Sequence, residues 1–120
     1  NLLDEVDLAH LREDDPDLIL FLADQLMADG RWQWAISIAG LCSGREGQAG
    51  DEARFRTVQA LYEQGVAAKN LEGFPAQAGD LALKIKDPAL RSRCADLIGD
   101  AWSALGKIEH AADAYRGILR

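Results

Sequence analysis

Ile98-Gly99-Asp100-Ala101-Trp102, followed by Gly106-Lys107-Ile108 and then by Ala111, Tyr115 and Ile118-Leu119, is the stretch that decides the fold. Helix formers fill it, and Gly106 falls between two runs whose apolar residues recur at three- and four-residue spacing. The pattern predicts two antiparallel helices, 88–105 and 107–119, joined by a tight turn with a left-handed glycine cap. Gly99 and Ala111 are small enough to let the two helices approach closely. Trp102 and Tyr115 are expected to fill the space between successive helix pairs.

The same punctuation recurs toward the N-terminus. Gly30 in Ala28-Asp29-Gly30-Arg31-Trp32 and Gly73 in Leu71-Glu72-Gly73-Phe74-Pro75 each read as a left-handed cap between helices. Asp15-Pro16 and Asp87-Pro88 read as helix starts, with Asp accepting from unpaired amides and Pro in the first helical position. Asp51, after the glycine-rich 43–50 segment, reads as a third start. Six helices are expected, over 16–29, 31–43, 51–71, 75–86, 88–105 and 107–119. β-branched residues are few and alternation is short-lived, so the fold class is all-α.

The turn glycines lie 43 and 33 residues apart, and the second interval is close to the roughly 34 residues of the tetratricopeptide unit. The residues of the last pair quoted above resemble the tetratricopeptide repeat family. There, a large and a small apolar residue precede an aromatic in the first helix. A turn glycine, a small residue and a second aromatic then follow. Leu22-Ala23, Leu26, Gly30, Trp32 and Ala35 match the pattern more loosely, with Ala39 where the second aromatic would stand. In the middle pair Gly73, Ala78 and Ala82 fit, while Gly65 and Ala68 leave the register of the first helix open. The resemblance covers about 16–119. It implies a right-handed superhelix of about three antiparallel helix pairs over 16–120, preceded by an acidic arm over 1–15. Leu3 and Val6, with Ala9 or Leu11, suit a short helix at 2–11 within that arm.

Charge narrows the function classes. The chain carries −7, yet Asp4, Glu5, Asp7, Glu13, Asp14, Asp15 and Asp17 against Arg12 place −6 of it in the first seventeen residues, leaving −1 for 18–120. No basic stripe with interleaved aromatics exists to meet a phosphate backbone, so nucleic acid is not an expected partner. No apolar run approaches the roughly 18 residues of a membrane span, and the first residues are acidic, unlike a secretory signal. A membrane is not an expected partner, and a cytoplasmic location is favoured. Asn1 in place of Met suits a piece of a longer protein.

Catalytic and metal motifs are missing from the sequence: zinc-protease, phosphate-loop, dinucleotide and calcium-loop patterns do not occur. His10 and His110 stand without ligand-spaced partners, so structural or surface roles are expected. Glu13-Asp14-Asp15 with Asp17 lacks the alternating ligands and glycine of a calcium loop. Cys42 and Cys94, 52 residues apart without CxxC spacing, read as buried thiols. Ser37, Ser43, Ser92 and Ser103 have no base in a motif context. The expectation is a non-enzyme without a cofactor.

Recognition of another polypeptide remains. The resemblance implies that the first helices of successive pairs line a concave groove holding an extended peptide or a partner helix. The groove positions become Leu20, Phe21, Asp24 and Met27 in the first pair and Arg93, Asp96, Leu97, Asp100 and Ser103 in the last. Where the family's clamp for a terminal carboxylate has Lys and Asn, this chain has Asp96 and Asp100, so a mixed basic and apolar segment is the expected ligand. Trp32 and Trp34 cannot both face inward, and the outer one is a candidate anchor. No solvating helix follows Ile118-Leu119-Arg120 to cap the last pair, which suits either further repeats or a homodimer through that pair. An interaction scaffold or adaptor is the first expectation; a small secretion chaperone or a helical accessory domain of a larger enzyme are the alternatives.

Overall fold

A computed structural model describes residues 15–119, so most of the acidic arm, with the helix expected at 2–11, lies outside the described residues. Six helices follow: α1 (Pro16–Ala28), α2 (Trp32–Ala39), α3 (Gln48–Ala68), α4 (Phe74–Leu83), α5 (Pro88–Ala104) and α6 (Ile108–Tyr115). The described residues contain no strand. The chain is all-α.

The helix starts follow the expected chemistry only in part. Asp87 caps α5, its Oδ1 accepting from the amides of Ala89 and Leu90 at 2.9 and 3.3 Å. Asp15 makes no side-chain cap, which leaves the fixed φ of Pro16 to start α1. α3 begins at Gln48, before Asp51 rather than at it. Asp51 is instead buried, and its carboxylate accepts from the amides of Lys86 and Asp87 at 3.2 and 2.9 Å. Arg54 pairs with it at 3.2 Å and also donates to the Arg45 carbonyl at 3.0 Å. A buried carboxylate is tolerable only when so paired. Here it ties the loop before α3 to the junction of α4 and α5.

The helix ends repeat one geometry. After α1 the Arg31 amide donates to Leu26 and the Gly30 amide to Met27; after α5 the Lys107 amide donates to Trp102 and the Gly106 amide to Ser103. This is the six-residue Schellman turn, whose left-handed position favours glycine, and Gly30 and Gly106 hold φ 74° and 78° there. In the middle pair the left-handed residue is not the expected Gly73, which has φ −85° and precedes α4. It is Lys69, φ 55°, whose amide donates to Val66 while that of Asn70 donates to Gly65. The three turns therefore stand at 30, 69 and 106, intervals of 39 and 37 residues that replace the 43 and 33 read from the glycines.

Each helix packs on its neighbours in sequence, and in addition α1 packs on α3 and α3 on α5. Two cores result. Ile19, Leu22, Ala23 and Leu26 of α1 meet Ala35, Ile38 and Ala39 of α2 and Ala53 and Ala60 of α3. Phe55 and Val58 of α3 meet Phe74, Ala78 and Ala82 of α4 and Leu90, Cys94 and Ile98 of α5. Each large side chain so buried contributes roughly 1.5–3 kcal/mol. α3 serves both cores with different faces: Ala53 and Ala60 on one, Phe55 and Val58 on the other. The whole measures 45 × 30 × 17 Å.

The last pair departs from expectation in two ways. α6 stops at Tyr115, and Gly117, at φ 93°, turns the chain so that Leu119 returns to the second core. Trp102 is only partly buried, packing on that core and on the His110 ring at 4.7 Å. Tyr115 is 49% exposed and lies across Gly99, where an added Cβ would collide with its ring. Gly99 thus admits the Tyr115 ring, and a larger residue there would displace α6.

A left-handed non-glycine residue costs roughly 1–2 kcal/mol, partly offset by glycine's greater freedom in the unfolded chain. Lys69→Gly should therefore raise stability by about 0.5–1 kcal/mol in urea unfolding, and Gly106→Ala should lower it by about 1 kcal/mol. A parent midpoint unchanged in Lys69→Gly would contradict the middle turn.

Candidate protein-interaction face

α1, α3 and α5 lie side by side, so the face they share is built from the first helix of each pair. α5 contributes Arg93, Asp96, Leu97 and Asp100, a stripe at i, i+3, i+4 and i+7 that one helix face must carry. Arg93, Asp96 and Leu97 join Phe55 and Gln59 of α3 around a depression of about 220 Å³. Leu97 forms its half-buried floor against the second core. The Arg93 guanidinium stands 4.2 Å from the Phe55 ring centroid, a cation–π contact worth roughly 0.5–1 kcal/mol at an exposed site. Asp100 accepts the Tyr115 hydroxyl proton in a hydrogen bond. Ser103 is exposed, one turn beyond the stripe.

α1 contributes less than its sequence suggested. Phe21 is 52% exposed and available. Leu20 and Met27 turn partly inward and pack on the first core. Asp24 is not a free acid: Arg56 of α3 grips it through two parallel hydrogen bonds at 2.8 and 3.1 Å and reaches Glu52 at 3.2 Å. Such a pair, with half of the Asp24 side chain in solvent, is worth about 0.2–1 kcal/mol and chiefly fixes α1 against α3. Burial opposes the Arg56 charge, but Asp24 and Glu52 outweigh it and raise its pKa.

The α3 residues of this face, Phe55, Arg56 and Gln59, went unassigned in the sequence. Their spacing could have nominated them, had the register of α3 been fixed. Trp34 is the outward tryptophan of its pair, 48% exposed, while Trp32 packs on the first core.

The electrostatics of the α5 end are set by its carboxylates. Tyr115 is held protonated by its hydrogen bond to Asp100, then by burial and by the Asp100 and Asp96 charges, and its pKa is pushed up to about 12. Tyr62 is raised too, by burial and by Asp100 and Glu63. Burial pushes the Cys94 thiol up to about 12, so it stays neutral in the second core, and Cys42 is buried in the first. A neutral buried thiol is a poor nucleophile. Among the described residues no three His, Cys, Asp or Glu side chains gather as a metal site, and no helix is long and apolar enough to cross a membrane.

No protein-family model, no curated protein and no solved structure matches the chain.

A tyrosine with a raised pKa lends its hydrogen bond in full below the ordinary value near 10 and loses it as pH rises through about 12. In a Tyr62→Phe background, ultraviolet titration should show the Tyr115 phenolate appearing near 12. Asp100→Asn should bring it down toward the ordinary value of about 10. A parent titrating near 10 would show that Asp100 does not hold the hydroxyl.

Proposed function

We propose that the three helix pairs form a right-handed, tetratricopeptide-like superhelix acting as a non-catalytic protein-interaction module. Its face of first helices binds an extended peptide or a partner helix. The near-even spacing of the Schellman turns, 39 and 37 residues, supports one repeated unit. So does the packing of α1 on α3 and α3 on α5, since a repeat stack brings equivalent helices into register.

The observation that carries the recognition reading is the α3–α5 depression, where Leu97 and Phe55 supply apolar floor beside the exposed carboxylate of Asp96. Asp100 continues the acidic line along α5, and Phe21 stands exposed on α1. Asp24 is withdrawn from this reading because Arg56 neutralises it. A ligand alternating basic and apolar side chains would pair with Asp96 and Asp100 and lay its apolar residues over Leu97 and the Phe55 edge. Arg93 sets the limit of the acidic line and would disfavour a purely cationic ligand. A module of this kind fits a scaffold or adaptor role.

The test is binding of a labelled peptide that alternates lysine and leucine, followed by fluorescence anisotropy. The Asp96→Lys/Asp100→Lys variant should weaken it by about tenfold or more, the scale of one lost charge-assisted contact. Circular dichroism should be unchanged, since both positions are exposed. Equal affinity in parent and variant would remove this face from consideration.

A further inference from the structure

On the opposite flank of α5 the charge reverses. Lys86 from the α4–α5 junction, Arg91 and Ser92 from α5, and Arg116 from the segment after α6 surround a cavity of about 280 Å³. Its wall is apolar, with Pro88, Ala95 and Leu119, and it includes Tyr115. No acidic side chain lines it among the described residues. In a chain of net charge −7 with thirteen cationic residues, three elements converge to place three of them around one cavity.

The cations are differently held. Arg91 is anchored, its Nη2 donating to the carbonyls of Leu83 and Ile85 at the end of α4, where a helix leaves carbonyls unpaired. Its Nε is buried and has no acceptor among the described residues. Of the acids nearest in sequence, one is engaged elsewhere and the other pairs with a cation of the cavity itself. Asp87 accepts from Gln48 and from the amides of Ala89 and Leu90, and Asp113 pairs with Arg116 at 3.5 Å on the exposed surface. Lys86 and the outer edge of Arg116 remain free to meet an incoming anion. A fixed guanidinium flanked by two exposed cations over an apolar wall is complementary to carboxylates next to large apolar side chains.

We propose that this cavity is a second docking site, for an acidic and apolar segment of a partner polypeptide. Glutamate or aspartate side chains of the segment pair with Lys86, Arg91 and Arg116, and an adjacent apolar side chain packs on Leu119, Ala95 and Pro88. The module then presents two flanks of α5 with opposite preferences: the face carrying Asp96 and Asp100 for basic segments, and this cavity for acidic ones.

Binding of the amidated and acetylated peptide Ac-Gly-Leu-Glu-Glu-Leu-Phe-NH2 to the full chain tests it, with Ac-Gly-Leu-Lys-Lys-Leu-Phe-NH2 as the charge-reversed probe. The acidic peptide is expected to bind, and Lys86→Glu/Arg116→Glu to weaken it by about tenfold or more. Rising salt should weaken it further. Gln25→Ala, at an exposed position of α1 outside both sites, should leave it unchanged. Both cationic positions are exposed, so circular dichroism should confirm that the charge-reversed variant folds. No binding of the acidic peptide at millimolar concentration would overturn the proposal. Equal binding by the Lys86→Glu/Arg116→Glu variant would overturn it as well, and so would a loss of lysine-peptide binding in that variant as large as the loss of acidic-peptide binding.

Discussion

α3 is buried on two sides, and the architecture depends on that. Ala53 and Ala60 let α1 and α2 come close on one flank, while Phe55 and Val58 fill the second core on the other. Small residues toward one neighbour and large ones toward the next allow a single helix to close both cores. Neither core is complete without it, because each terminal pair has only one neighbour against which to bury its apolar face. α3, at 21 residues the longest helix, supplies that surface to both.

Packing alone does not set how the next pair follows. The Asp51 carboxylate does so by holding the amides of Lys86 and Asp87, which brings the α4–α5 junction onto the first turn of α3. Asp87, so placed, caps α5 and receives a hydrogen bond from Gln48 at 3.1 Å. These contacts fix where α5 starts, and hence where Arg93, Asp96 and Asp100 emerge. Arg56 plays the matching part between α1 and α3 through Asp24. The proposed recognition face is thus positioned by polar ties between loops and first helices, over cores that supply most of the stabilisation.

The sequence showed most clearly those elements whose signals are local. Gly30 and Gly106 marked their turns because a left-handed cap is a property of a few consecutive residues. The α5 stripe was readable because one exposed helical face has one periodicity. α3 lost its register to the same logic: a helix buried on two sides has two superimposed stripes and no single polar face. Its turn was misplaced because Lys69, a residue that rarely adopts positive φ, occupies the glycine's position, and Gly73 nearby drew the assignment. Asp51 and Asp24 were misread for a different reason. Their partners lie 35 and 32 residues away, and no local pattern announces a carboxylate that serves a distant amide or guanidinium.

The shared helix can be tested by unfolding followed from each side. Trp102→Phe leaves Trp32 and Trp34 to report on the first core, and Trp32→Phe/Trp34→Phe leaves Trp102 to report on the second. Val58→Ala removes methyl groups from the second core alone. If α3 joins the two cores into one cooperative unit, Val58→Ala lowers the urea midpoint of both reporters by the same amount. A first-core midpoint that stays at the parent value while the second-core midpoint falls would contradict it.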